Sequence, residues 1–223
     1  MKSKLLTQAL SKIIIGFVLL AALVFLPAGT LKYAGGWLFM GALFIPMTIM
    51  GIVLYAKAPD LLEKRLKSKE TESEQKGVVA LSGIMFLGGF IAAGLTYRFA
   101  WISFSKWAAV IGLVLFLLSY AMYAEVLREN AYLSRVIEVQ KDQKVVDTGL
   151  YGIVRHPMYS ATVLMFLSIP VILGSVIAFV IFLIYPVVIA RRIKNEEEVL
   201  EGGLEGYTDY KKKVKYRLIP FIW

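Results

Sequence analysis

Two short stretches of this chain hold the residue types that chemistry needs. The first, Val145–Tyr159, reads VVDTGLYGIVRHPMY and contains the one histidine of the chain, His156. The second sets Arg192 four positions before Glu196, a spacing that puts both on one face of a helix. Pro157 has no N–H to donate and fits the first turn of a helix. The residue before a proline is pushed toward an extended conformation. The pattern therefore predicts a helix that begins at Pro157, with His156 just outside it. Free N–H groups at such a start attract anions. A lone histidine is more often structural than catalytic. Here Arg155, His156 and Tyr159 gather at one helix mouth beside Tyr151, and that favours a site.

These stretches sit in a chain built for lipid. The sequence is 58% hydrophobic over 223 residues, more apolar surface than a soluble domain of this size tolerates, so the protein is read as an all-α integral membrane protein. Its formal charge of +9 would suggest nucleic acid in a soluble protein. Here Lys and Arg collect in loops, as in membrane proteins, and no nucleic-acid partner is expected. With no cysteine and one histidine, thiolate chemistry and a zinc, haem or other metal site are not expected.

Four spans are predicted, at Leu10–Leu26, Trp37–Tyr55, Val78–Leu95 and Trp107–Val126. The basic start and the run Ile13–Leu26 resemble a signal peptide but are read as a retained first span. Pro46 predicts a kink in the second span. Gly83, Gly88, Gly89 and Gly94 predict close helix contact in the third. Lys57–Lys76 is a charged connector, and Leu127–Met158 a polar segment lying over one membrane face. Ser160–Ala190 then carries no charge over 31 positions. One straight helix of that length, at about 1.5 Å per residue, would overshoot a hydrocarbon core of roughly 30 Å; two full spans would need about 40 residues. A tight hairpin is predicted, Pro157–Leu173 and Val176 to about Leu200, whose tip stops short of the far surface. The result is about six membrane helices, the last two a hairpin. Residues 1–126 form the N-terminal membrane part, and 127–223 a second part with the cytoplasmic polar segment, the hairpin, the C-terminal tail and the candidate site.

Charge sets the orientation. Of the 25 Lys and Arg, 22 fall on the side of both termini and of the 127–158 segment, and three on the other side. That bias predicts both termini in the cytoplasm. Arg191, Arg192 and Glu196–Glu198 follow directly on the hairpin; by themselves they would read as a charge-paired helix end. Tyr207, Tyr210 and Lys211–Lys213 read as an anchor at the membrane surface, in contact with lipid headgroups.

The pattern Gly-Leu-Tyr-x3-Arg-His-Pro-x-Tyr, an uncharged hairpin, Arg-x3-Glu-Glu-x2-Leu and Tyr-x2-Tyr-Lys-Lys-x-Val-x4-Leu-x-Pro resembles the isoprenylcysteine carboxyl methyltransferase family over roughly residues 130–220. It is similar, more distantly, to phospholipid N-methyltransferases. The resemblance implies an S-adenosylmethionine-dependent methyltransferase. Gln140, Val145, Val146, Tyr151, His156, Pro157, Tyr159 and Glu196 would bind the cofactor, and Arg192 would face the methyl acceptor. The acceptor would be a lipophilic or lipid-linked molecule entering from the bilayer, with an isoprenylcysteine-like carboxylate as one candidate. The residue types suit this ligand. Tyrosine faces can hold a sulfonium, a helix start and a histidine can hold a carboxylate, and a glutamate can accept from ribose or ammonium. Two other readings stay open. Some membrane sterol and enone reductases share a similar C-terminal core and use NADPH. A transporter would instead carry charges inside its spans, which this sequence does not. Neither the acceptor nor the oligomeric state is readable.

Overall fold

The computed structural model describes residues 2–66, 73–133 and 139–223, with side chains from 4–66, 77–133 and 139–223. Parts of the 57–76 connector and of the 127–158 segment thus lie outside the described residues. The described chain is helical: α1 (Lys2–Ala28), α2 (Ala34–Lys57), α3 (Pro59–Leu66), α4 (Ser73–Phe99), α5 (Lys106–Glu129), α6 (Pro157–Ile172), α7 (Val176–Phe182), α8 (Ile184–Gly203) and α9 (Tyr207–Lys213). Five stretches are long and apolar enough to cross a membrane: Lys4–Ala28, Ala34–Lys57, Gly77–Phe99, Lys106–Glu129 and Val176–Gly203. The sixth apolar helix, α6, has 16 residues. Large side chains such as Ile14, Ile15, Val18 and Leu19 on α1 face outward, as lipid-facing positions do. The protein is a multi-pass integral membrane protein.

The predicted hairpin is present, and its tip reaches further than the uncharged run suggests. Gly174, with φ +75°, takes the left-handed turn that a side chain would strain. Its carbonyl accepts from Phe104 N–H at 3.0 Å, Ser175 pairs with Ser103 in an isolated bridge, and Tyr33 Oη donates to the Leu173 carbonyl. The tip is therefore tied to the loops that join α1 to α2 and α4 to α5, rather than stopping short of them. At about 1.5 Å per residue, 16 residues of helix cover only about 24 Å; backbone hydrogen bonds from the neighbouring loops close the remaining gap.

Local chemistry explains the breaks. Pro186 lacks the N–H that would bond the Phe182 carbonyl, and the helix divides at Leu183 into α7 and α8. Pro46 does not end α2, which runs through it. In α4, a Cβ at Gly94 would stand 2.8 Å from the Val24 carbonyl oxygen, and one at Gly89 would stand 2.2 Å from the Phe182 ring. Those two glycines let α1 and α7 press onto α4, whereas a Cβ at Gly83 or Gly88 would meet no other element within 4 Å among the described residues. Phe39, Phe90, Phe116 and Phe182 fill the buried centre.

Candidate functional site

The chain enters α6 through an extended segment, and the C-terminal tail holds it there. Arg155 N–H donates to the Tyr216 carbonyl and His156 N–H to the Arg217 carbonyl, both at 2.9 Å. Pro157 then opens α6 as its proline chemistry predicts. The first turn is not the open anion site that the sequence suggests. Pro157 has no N–H, and the N–H groups of Tyr159 and Ser160 close on the His156 carbonyl at 3.0 and 3.1 Å.

Adjacent glutamates on α8 face two different environments. Glu197, 3% exposed, is buried. Its Oε1 accepts from Arg155 Nε at 2.7 Å and lies 3.2 Å from His156 Nε2, and its Oε2 accepts from Arg217 Nε at 3.0 Å. The Arg155 guanidinium also donates to the Val214 and Lys215 carbonyls, at 2.7 and 2.9 Å. A buried carboxylate and guanidinium are tolerable only with such complete pairing. Glu196 turns the other way. Its Oε2 accepts from Tyr159 Oη at 2.5 Å, and Tyr159 Oη in turn accepts from Arg192 Nε at 2.8 Å. One phenol therefore bridges a guanidinium and a carboxylate.

Tyr151 lies on a short 3₁₀ turn, Gly149–Gly152. Its hydroxyl accepts from Asn130 Nδ2 at 2.9 Å and its carbonyl accepts from Tyr210 Oη at 2.7 Å. Burial pushes the Tyr151 phenol well above its ordinary range, so it stays neutral.

Two cavities meet at Tyr159. The first, about 100 Å³, is lined by polar and aromatic groups that include Asn130, Lys144, Tyr151, Glu196 and Tyr207. The second, about 700 Å³, is mostly apolar and lies among α1, α2, α4, α5, α6 and α8, with α3 at one end. Its charged lining residues among those described are Lys12, Arg65 and Arg192, with no carboxylate. Lys12 Nζ donates to the Leu66 carbonyl and Arg65 to Tyr123 Oη, which ties α3 across that end. Met158, Tyr159 and Arg192 line both cavities.

A profile of the Isoprenylcysteine carboxyl methyltransferase (ICMT) family matches residues 110–202. Among solved structures, the chain is similar to the eukaryotic intramembrane Ras methyltransferase ICMT determined without a monobody, with a TM-score of 0.53 over 96% of this chain and 84% of that one. At 19% identity that likeness is one of fold. Residues 110–202 thus resemble that family, and the helical fold resembles that of its solved member. It is also similar to the Delta(14)-sterol reductase TM7SF2 of Mus musculus, 27% identical over 84 residues. That match takes in 36% of this chain, which spans only one fifth of the reductase's length.

The polar cavity gathers most of the residues that the sequence pattern singles out. Val145, Val146, Tyr151, His156, Tyr159, Arg192 and Glu196 all line it. Gln140 and Pro157 do not. The Gln140 side chain donates to the Tyr132 carbonyl at 2.5 Å and its N–H donates to Gln143 Oε1 at 2.8 Å, so it braces its loop. Pro157 is fully buried under the helix start. Arg155 touches the cavity, but its guanidinium is committed to Glu197 and the tail. Tyr207 and Tyr210 are not a surface anchor: they are buried and line the cavity. Asn130, Gln143 and Lys144 also line it, and no spacing in the sequence marks them.

Proposed function

We propose that this protein is a membrane methyltransferase, carrying a methyl group from S-adenosylmethionine, held in the polar cavity, to an anionic, lipophilic acceptor lying in the apolar cavity. The observation that carries this reading is the shared wall of Met158, Tyr159 and Arg192 between the two spaces. The donor set fits the cofactor. Tyrosine faces and the Glu196 carboxylate suit a cation, Lys144 suits a carboxylate, and Asn130 and Gln143 suit hydroxyl and amino groups. At about 100 Å³ the polar cavity is smaller than the roughly 300–1,000 Å³ of small-molecule sites. The cavity walls must therefore open further as the cofactor enters.

When bound, S-adenosylmethionine supplies an electrophilic methyl on a sulfonium. The protein's part is placement. Glu196, oriented by Tyr159, holds the cofactor side. The Arg192 guanidinium holds the acceptor's acid group through its planar fork. Lys12 and Arg65 add positive charge to the same cavity wall, which suits an acidic headgroup. An ionised carboxylate attacks without losing a proton, so no general base is needed and alignment carries most of the rate. The charge bias places the cofactor entrance on the cytoplasmic face.

Calorimetric titration of the purified protein with S-adenosylhomocysteine tests the cofactor, and mass spectrometry of lipids exposed to methyl-labelled S-adenosylmethionine tests the acceptor. Binding and a labelled acidic lipid are expected. Binding of NADP in place of S-adenosylhomocysteine would overturn the reading in favour of a membrane reductase, which the partial match to the sterol reductase brings in.

A further inference from the structure

Tyr207 and Tyr210 stand three residues apart on α9 with ring centres 5.8 Å apart. Both pack with Leu204 and Val214, against Val139, Val145 and Leu200. Their hydroxyls differ. Tyr210 Oη donates to the Tyr151 carbonyl at 2.7 Å. Tyr207 Oη is buried and has no hydrogen-bond partner among the described residues. Unpaired buried hydroxyls are rare, because they lose water and gain nothing in return. A phenylalanine would fill the same apolar space, so packing does not account for the oxygen at 207. The ring borders the polar cavity beside Glu196 and Leu200.

We propose that the Tyr207 hydroxyl is a cofactor-contact group, left without a partner until a nucleoside-type ligand enters the polar cavity and supplies a hydrogen-bond acceptor. This rests on the methyltransferase reading above and adds a residue to its site. Burial, then the nearby Glu197 and Glu196 carboxylates, push this phenol well above its ordinary range. It therefore keeps its proton and acts as a donor. S-adenosylmethionine and S-adenosylhomocysteine carry suitable acceptors in the ribose oxygens, adenine ring nitrogens and carboxylate. Gly206, at φ +82°, makes the left-handed turn that starts α9 and sets Tyr207 as its first residue.

The experiment compares the parent with Tyr207→Phe and Tyr210→Phe, all full-length in detergent. S-adenosylhomocysteine affinity is measured by calorimetry, and thermal unfolding is followed without ligand. Tyr207→Phe is expected to unfold at or above the parent temperature and to bind S-adenosylhomocysteine about 3- to 10-fold more weakly, as for one neutral hydrogen bond. Tyr210→Phe is expected to unfold below the parent, because it loses its bond to Tyr151. Parent-like affinity in Tyr207→Phe would overturn the inference and leave the methyltransferase reading standing. So would a fall in its unfolding temperature equal to that of Tyr210→Phe, which would show a structural partner for the hydroxyl. Absence of S-adenosylhomocysteine binding by the parent would overturn both.

Discussion

The hydroxyl of Tyr159, on α6, donates to Glu196, on α8, at 2.5 Å, and this bond crosses the hairpin where the two cavities meet. Since Arg192 donates to the same oxygen at 2.8 Å, a single phenol sets the geometry of both charged groups. Tyr159→Phe keeps the ring and loses that bridge. Hydrogen bonds to charged groups contribute about 1.5–3 kcal/mol, so kcat/KM is expected to fall roughly 10- to 150-fold, and the unfolding temperature to fall as well. Turnover with methyl-labelled cofactor checks this, and parent-like turnover would remove Tyr159 from the reacting geometry.

Arg192 and Arg191 separate a site role from an anchoring role. Arg192 is half-buried and bonded to Tyr159, whereas Arg191 is exposed. Lysine keeps the charge and loses the planar fork. Arg192→Lys is expected to bind S-adenosylhomocysteine as the parent does but to turn over at least about tenfold more slowly, the effect of about 1.4 kcal/mol. Arg191→Lys is expected to match the parent. Equal turnover in Arg192→Lys and the parent would reduce Arg192 to an interfacial anchor.

The neighbouring glutamates should fail in different ways. Glu197→Ala leaves Arg155 buried without its carboxylate, and breaking such a pair costs about 3–5 kcal/mol. A large drop in unfolding temperature is expected. Glu196→Ala should unfold near the parent and lose cofactor affinity, by roughly 10- to 150-fold. Glu198 is exposed, and Glu198→Ala should stay within about 0.5 kcal/mol. Thermal unfolding paired with calorimetry on the three variants resolves the roles. The assignment fails if Glu197→Ala is stable or if Glu196→Ala binds like the parent.

Orientation is open to direct labelling. Lys141 and Thr208 are exposed on the side of the polar cavity, and Ser103 is exposed beside the hairpin tip. Single cysteines at Lys141 and Thr208 should react with an impermeant reagent only from the cytoplasmic side, and one at Ser103 only from outside. Labelling of Lys141→Cys in intact cells would reverse the topology.

The sequence by itself determined the helices, the hairpin and most of the polar residues that line the smaller cavity. Those features rest on signals carried by neighbouring residues: an uncharged run too long for one span, a proline that starts α6, and glycines at the turn and at the end of α8. Runs of apolar residues set span positions without reference to the rest of the chain. Only the tertiary structure decided which polar groups form the site. Glu196 and Glu197 are adjacent, and one step along a helix rotates a side chain by about 100°. Which of the two meets Tyr159, and which meets Arg155, depends on a tail that returns from residues 214–218. The same packing turned Tyr207 and Tyr210 inward from the surface that their lysine neighbours suggest. It also drew Gln140 back to its own loop and tied the hairpin tip to distant loops through Tyr33 and Ser103. Contacts between residues 33 to 140 positions apart leave no mark on local composition, so they become visible only when the helices pack.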